Sequence, residues 1–146
     1  MKIVLGSDHG GYTYKEAIKQ HLMDVGHEVI DVGTFSTDSC HYPLTGIAAG
    51  EKVASGEAEL GFIVCTSGEG ISIAANKVKG VRAAIGYDDK VAEMARRHND
   101  ANILAFGQAY MAMDDVLRRT DIFINTPFEG GRHATRVDMI KAYENK

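Results

Sequence analysis

The stretch Cys65-Thr66-Ser67-Gly68-Glu69-Gly70 puts a thiol, two hydroxyls and two glycines directly after the apolar run Leu60 to Cys65. A turn from a strand into a helix gathers backbone N–H groups and the positive end of the helix dipole on whatever anion approaches, so the stretch reads as an oxyanion or phosphate cradle. A tight strand-to-helix turn calls for glycine even when nothing binds, so both explanations stand. Cys65 would lie beside convergent donors that favour thiolate over thiol, the setting of a base or nucleophile; the alternative is a small buried hydrophobe. The stretch is not a dinucleotide fingerprint, because Ile73 occupies the third glycine position, and the absence of a Gly-Lys pair excludes a Walker loop.

Three further groups carry polar chemistry. Asp8-His9 follows the first strand and His98-Asn99-Asp100 follows the fourth crossover helix, which leads us to expect two histidines near one rim, where they can move protons. Arg132 and Arg136, four apart on the final helix with His133 adjacent, form either a bidentate phosphate clamp or a solvated charged face. Arg96-Arg97 could serve similarly but read as surface residues, and Cys40 reads as incidental. No Cys-x-x-Cys or Cys/His ligand spacing suggests a metal, and no cofactor is expected.

These residues need a scaffold. With 146 residues, 45% of them hydrophobic and 25% charged, the chain is expected to form one domain over residues 1–146 with a real core. Short β-type runs alternate with helical periods: strands at Lys2 to Gly6, His27 to Val32, Leu60 to Cys65, Val81 to Ile85 and Ile103 to Phe106. Helices are expected over Tyr14 to Val25, Pro43 to Ser55, Ile71 to Lys77, Asp88 to His98, about Met113 to Thr120, and about Arg132 to Tyr143. Such alternation implies an α/β fold, a Rossmann-like three-layer α/β/α sandwich on a five-stranded parallel sheet. Ligands then bind beyond the carboxyl ends of the strands, so the loops starting at Ser7, Thr66 and Tyr87 should share one rim. Ile122 to Gly131, with Pro127 and Gly130-Gly131, reads as an extended connection to a C-terminal helix that engages a partner subunit.

The net charge of −4 gives no global field to attract nucleic acid or an anionic membrane. No apolar run reaches membrane-spanning length and the first residues lack a signal-peptide core, so a cytoplasmic protein is expected.

Taken together, Gly6-Ser7-Asp8-His9-Gly10-Gly11-Tyr12, Cys65 to Lys77, His98 to Asn102, and Thr126 to His133 closely resemble the type B ribose-5-phosphate isomerase family, which includes the galactose-6-phosphate isomerase subunits. The resemblance runs from the first strand to the last helix. It implies a metal-free aldose–ketose isomerase acting on a sugar phosphate, built as a homodimer or a dimer of dimers with active sites shared between chains. By position, Cys65 resembles the base that moves a proton between C1 and C2 through a cis-enediolate, and the N–H groups of Thr66, Ser67, Gly68, Glu69 and Gly70 resemble the anion hole. His98 and the Ser67 hydroxyl resemble the ring-opening pair. Asp8, His9, Tyr42 and Asn99 resemble substrate contacts, and Arg132 with Arg136 resembles the phosphate clamp.

The family habit after the cysteine is Gly-Thr-Gly-x-Gly, so Thr66 and Ser67 depart from it, and Glu69, at the open position, is the other unusual residue. A Cβ at position 66 restricts the backbone and can re-aim a donor, and Glu69 is expected to point outward, near a helix N-terminus. Ribose 5-phosphate is the expected substrate. The alternatives are a six-carbon phosphosugar such as allose 6-phosphate or galactose 6-phosphate, a catalytically silent sugar-phosphate-binding module, and a redox sensor built on Cys65.

Overall fold

The computed structural model describes residues 1–146. Strands β1 (Lys2–Ser7), β2 (Glu28–Asp31), β3 (Leu60–Cys65), β4 (Ala83–Ile85) and β5 (Ile103–Gly107) form one all-parallel sheet in the order β2-β1-β3-β5-β4. Helices α1 (Tyr12–Asp24), α2 (Tyr42–Ala54), α3 (Glu69–Ala75), α4 (Asp89–Arg97) and α5 (Met113–Asn125) cross over between strands or follow the last one, and α6 (Arg132–Glu144) ends the chain.

Side chains alternate across each strand, so the sheet builds two cores. Ile3, Leu5, Phe62, Val64, Leu104 and Phe106 pack on one face beneath α1, α4 and α5. Val4, Ile63, Cys65, Ile103 and Ala105 pack on the other face beneath α2 and α3. Phe62 is the hinge pin of the first core, stacked on Phe106 with ring centroids 6.1 Å apart and edge-on to Phe123 at 5.6 Å. This is the expected three-layer sandwich, with both faces of the parallel sheet covered.

The strand order reverses between β1 and β3. Loops leaving those two strands diverge to opposite faces and open a crevice beyond their carboxyl ends.

Boundaries differ from expectation in one consequential place. Helix α5 runs on to Asn125, where an extended connection starting at Ile122 was expected. Val116, Thr120 and Phe123 recur at helical spacing and are all buried, so the core holds the helix past Thr120. Thr126, the residue before Pro127, is extended at φ −105, ψ 116, which ends the helix there.

Helix α6 buries only His133 and Val137, and is tied back at its far end by the Gly80 N–H donating to Glu144 Oε2 at 3.0 Å. It leaves Met139, Ile140 and Tyr143 exposed. No helix is long and apolar enough to cross a membrane.

Candidate active site

At the crevice, β1 and β3 end side by side, with Ser7 opposite Val64. The Asp8 N–H donates to the Val64 carbonyl at 3.3 Å, which turns the chain across the end of β3. Asp8 is buried, and its Oδ1 has no hydrogen-bond partner. A buried acceptor left open in this way is suited to a ligand hydroxyl. His9 is exposed and its Nδ1 accepts the Cys40 N–H at 3.1 Å, which leaves Nε2 as the free nitrogen.

Cys65 closes β3, is 5% exposed, and its Sγ accepts the Gly68 N–H at 3.1 Å. That contact depends on a left-handed backbone at Gly68, φ +84, packed so tightly that a Cβ would sit 3.0 Å from the Phe106 carbonyl carbon. The Glu69 N–H donates to Ser67 Oγ at 3.2 Å, so the Ser67 hydroxyl proton remains free to donate. Among non-glycine residues only Asp100 has positive φ. Thr66 is therefore unstrained, and the Gly68 N–H stays on the sulfur. Glu69 is exposed in the first turn of α3, where the helix dipole favours a carboxylate. Tyr42, first residue of α2, lays its ring against Gly70, where a Cβ would approach it to 2.9 Å.

A cavity of about 610 Å³ opens beside this loop, lined by Ser67, Glu69, Tyr87, Tyr110, Asp115 and Arg119 among others. Arg119 is fixed by Nε donating to Asp89 Oδ1 at 3.0 Å and Nη1 donating to the Gly86 carbonyl at 3.2 Å. The loop starting at Tyr87 is on the expected rim, whereas Tyr110 and Arg119 are not among the expected site residues. Tyr110 follows β5 closely, so the rule that points to Asp8 and Cys65 points to it as well.

The remaining candidates are elsewhere. Expectation put His98 near the same rim as Asp8-His9, and the structure overturns it. A crossover helix runs back against the strands, so the end of α4 returns to the edge where β5 begins. Cys65 is opposite Gly107 at the far end of that strand, and Ile103 to Gly107 alone spans about 13 Å. One chain thus brings Asp8, His9, Tyr42 and the 65–70 loop together at one edge of the sheet, and His98, Asn99, Arg132 and Arg136 at the other.

This second group is firmly built. Asp100, at φ 47, is held by Arg96 Nη1 donating to Oδ1 at 3.0 Å and by Arg82 Nη2 donating to Oδ2 at 3.3 Å. Arg96 also donates through Nε to the Thr126 carbonyl at 3.2 Å, so it fastens the α5–α6 connection to α4 and is no idle surface group. Arg97 donates through Nε to Glu129 Oε2 at 3.0 Å. His133 is buried and stacks on His98, with ring centroids 4.1 Å apart and planes 9° from parallel. Burial lowers the pKa of His133 below the ordinary histidine value, helped by the charges of His98, Arg132 and Arg136 and opposed by Glu129. Arg132 and Arg136 are exposed and form no ion pair within the chain, so both guanidinium groups are open to an anion.

His98, Glu129 and His133 bring their ligand-type atoms within 4.8 Å of one another. Parallel stacked rings direct their in-plane lone pairs side by side instead of toward a common point. With Arg97, Arg132 and Arg136 around it, the cluster is electrostatically unfavourable to a metal cation.

Residues 3–140 match the family model described as Ribose/Galactose Isomerase. The chain is 41% identical over 145 residues to ribose-5-phosphate isomerase B of Escherichia coli (strain K12), covering 99% of this chain and 97% of that one. The solved structure of Clostridium thermocellum ribose-5-phosphate isomerase B superposes with a TM-score of 0.98 at 49% identity, covering 99% of this chain and 98% of that one. That of Mycoplasma genitalium ribose-5-phosphate isomerase B, with bound ribulose-5-phosphate, gives a TM-score of 0.96 at 37% identity, covering 99% and 97%.

Proposed function

The chain belongs to the ribose/galactose isomerase family, and on that premise we propose that it interconverts ribose 5-phosphate and ribulose 5-phosphate with Cys65 as the base. The observation that carries the assignment of the base is the Cys65 sulfur at the carboxyl end of β3 with the Gly68 N–H directed onto it at 3.1 Å. An acceptor for a carbon-bound proton and donors for an oxyanion then occupy one turn.

The furanose ring opens first, with His98 and the Ser67 hydroxyl moving protons to the ring oxygen and from O1. The Cys65 thiolate next takes the proton from C2 of the open aldose. Charge builds on O1 of a cis-enediolate, where N–H groups of residues 66–70 stabilise it. The thiol returns the proton to C1, O2 becomes the ketone oxygen, and its former proton passes to O1. No oxidant or reductant is consumed. A single preorganised donor at such an oxyanion is worth about 3 kcal/mol. Asp8 Oδ1, lacking a partner inside the protein, accepts a sugar hydroxyl beside His9, Tyr42 and Asn99, while Arg132 and Arg136 hold the phosphate.

Since Cys65 and His98 are at opposite edges of one sheet, a complete site needs two chains. A two-fold pairing supplies each edge with the other's complement, giving two shared sites per dimer. The exposed Met139, Ile140 and Tyr143 on α6, with Leu44 and Ile73 on the α2/α3 face, support α6 as the element that engages the partner. Both cysteines are unpaired, in keeping with a cytoplasmic enzyme.

The test is turnover of ribose 5-phosphate, allose 6-phosphate and galactose 6-phosphate without added metal, with Cys65→Ala alongside. Conversion of ribose 5-phosphate that falls at least about a thousand-fold in the variant is expected. Conversion of only a six-carbon substrate would reassign the specificity. Thermal stabilisation by these ligands without turnover of any would make the protein a binding module.

A further inference from the structure

The ring-opening histidine does not stand alone. His133 covers one face of the His98 imidazole, and Glu129 faces the Nε2 atoms of both rings, at 3.9 Å from His98 and 3.8 Å from His133. Glu129 is itself fixed twice, by the Arg97 guanidinium on Oε2 at 3.0 Å and by its own N–H donating to the Arg97 carbonyl at 3.0 Å. His133 is buried at the start of α6, so its ring has little freedom to leave the stack. A side chain such as His98, more than a third exposed and with no direct hydrogen bond of its own, would otherwise sample several rotamers.

We infer that His133 and Glu129 are positioning residues for ring opening, His133 holding the plane of the His98 ring and Glu129 the direction of its Nε2. The inference rests on the isomerase reading above. Both act through His98 and not through Cys65, so their contribution is confined to the opening and closing of the ring.

The stack works only while His133 is neutral. The groups facing it are His98 and, behind Glu129, Arg97 from α4, Glu129 from the connection, and Arg132 and Arg136 from α6. A proton on His133 adds a positive charge against His98 among three guanidinium groups and only one carboxylate, which drives the two rings apart. Acid should therefore disable ring opening before it disables enediolate chemistry.

Substrate chemistry separates the two steps. Ribose 5-phosphate is a closed furanose and must be opened. Ribulose 5-phosphate, with its O5 esterified, cannot form a five-membered ring and arrives open. Exchange of its C1 proton with solvent deuterium thus reports on Cys65 alone. At saturating substrate, His133→Ala should lower turnover of ribose 5-phosphate about ten-fold or more while leaving deuterium wash-in within about two-fold of wild type. His133→Phe, which can stack but cannot be charged, should recover turnover to within about three-fold and lose the extra fall on the acid side of the pH profile.

Unchanged turnover in His133→Ala overturns the inference, and so does a parallel loss of turnover and wash-in. Failure of His133→Phe to recover turnover also overturns it, since the stack is what that variant restores. A wild-type protein inactive in both assays refutes the isomerase reading itself, a result visible before any variant is compared.

Discussion

Two variants that are each inactive should make an active enzyme when combined. Cys65→Ala removes the proposed base at the carboxyl edge of the sheet, and His98→Asn removes the proposed ring-opening group at the amino edge. Cys65 is opposite Gly107, and His98 precedes Ile103, so β5 alone separates the two edges by about 13 Å. No side-chain rotation closes such a gap. In a two-fold dimer each site takes Cys65 from one chain and His98 from the other. A mixed dimer of the two variants then holds one site with both lesions and one with neither. Coexpression with two different affinity tags, followed by purification on both, isolates that mixed dimer. Its specific activity toward ribose 5-phosphate should be about half the wild-type value, whereas either variant alone stays near background. The assay follows ketose formation at saturating substrate, with native mass spectrometry confirming the mixed composition. A mixed dimer as inactive as its parents would refute the shared site, and would require a chain rearrangement to bring His98 to Cys65.

Two stability predictions follow from the packing. Phe62 is fully buried between Phe106 and Phe123, so Phe62→Ala should cost about 3–5 kcal/mol in urea denaturation, against a near-zero effect for an exposed residue such as Phe35. His133 has a lowered pKa in the folded protein, so on acidification the unfolded chain takes up its proton first. The stability His133 contributes is whole above the ordinary histidine value of about 6.5, declines below it, and levels off beneath the folded value. Urea denaturation at about pH 7.5 and about pH 5.5 should show His133→Phe losing less stability across that interval than wild type.

Much of this molecule was legible before any coordinates. Strand β3 was read to the residue, because a fully buried parallel strand is a continuous apolar run bounded sharply by Glu59 and by the loop after Cys65. That helices cover both faces of the sheet follows from alternation alone, whereas the grouping of α2 with α3 and of α1 with α4 and α5 is seen only in the packing. The end of α5 was missed because the sequence there is mixed, and only burial of Phe123 against Phe62 decides for helix. Arg96 was set aside as surface because a guanidinium that caps Asp100 and fastens Thr126 looks the same in sequence as one in solvent. The His98–His133 stack joins residues 35 positions apart across a glycine-rich connection, and nothing in their local spacing announces it.

The place of His98 differs from expectation for another reason, one that parallel-sheet topology already contains. The motif near Cys65 follows a strand and the motif at His98 follows a helix, and in a parallel sheet those two kinds of position lie at opposite edges. A set of chemically matched residues divided between the two kinds cannot form one site in one chain. The same logic reaches the C-terminal tail. Arg132 and Arg136 begin a helix joined to the end of α5, and α5, like α4, returns to the amino edge. Their place beside His98 is therefore a consequence of topology, made firm by Arg96 on Thr126 and Arg97 on Glu129. The residues proposed to open the ring and to grip the phosphate thus travel as one rigid unit. A partner that presents this unit to the Cys65 edge delivers both functions together, so a substitution that loosens Glu129 or His133 should impair the site of the neighbouring chain and leave untouched the one its own Cys65 serves.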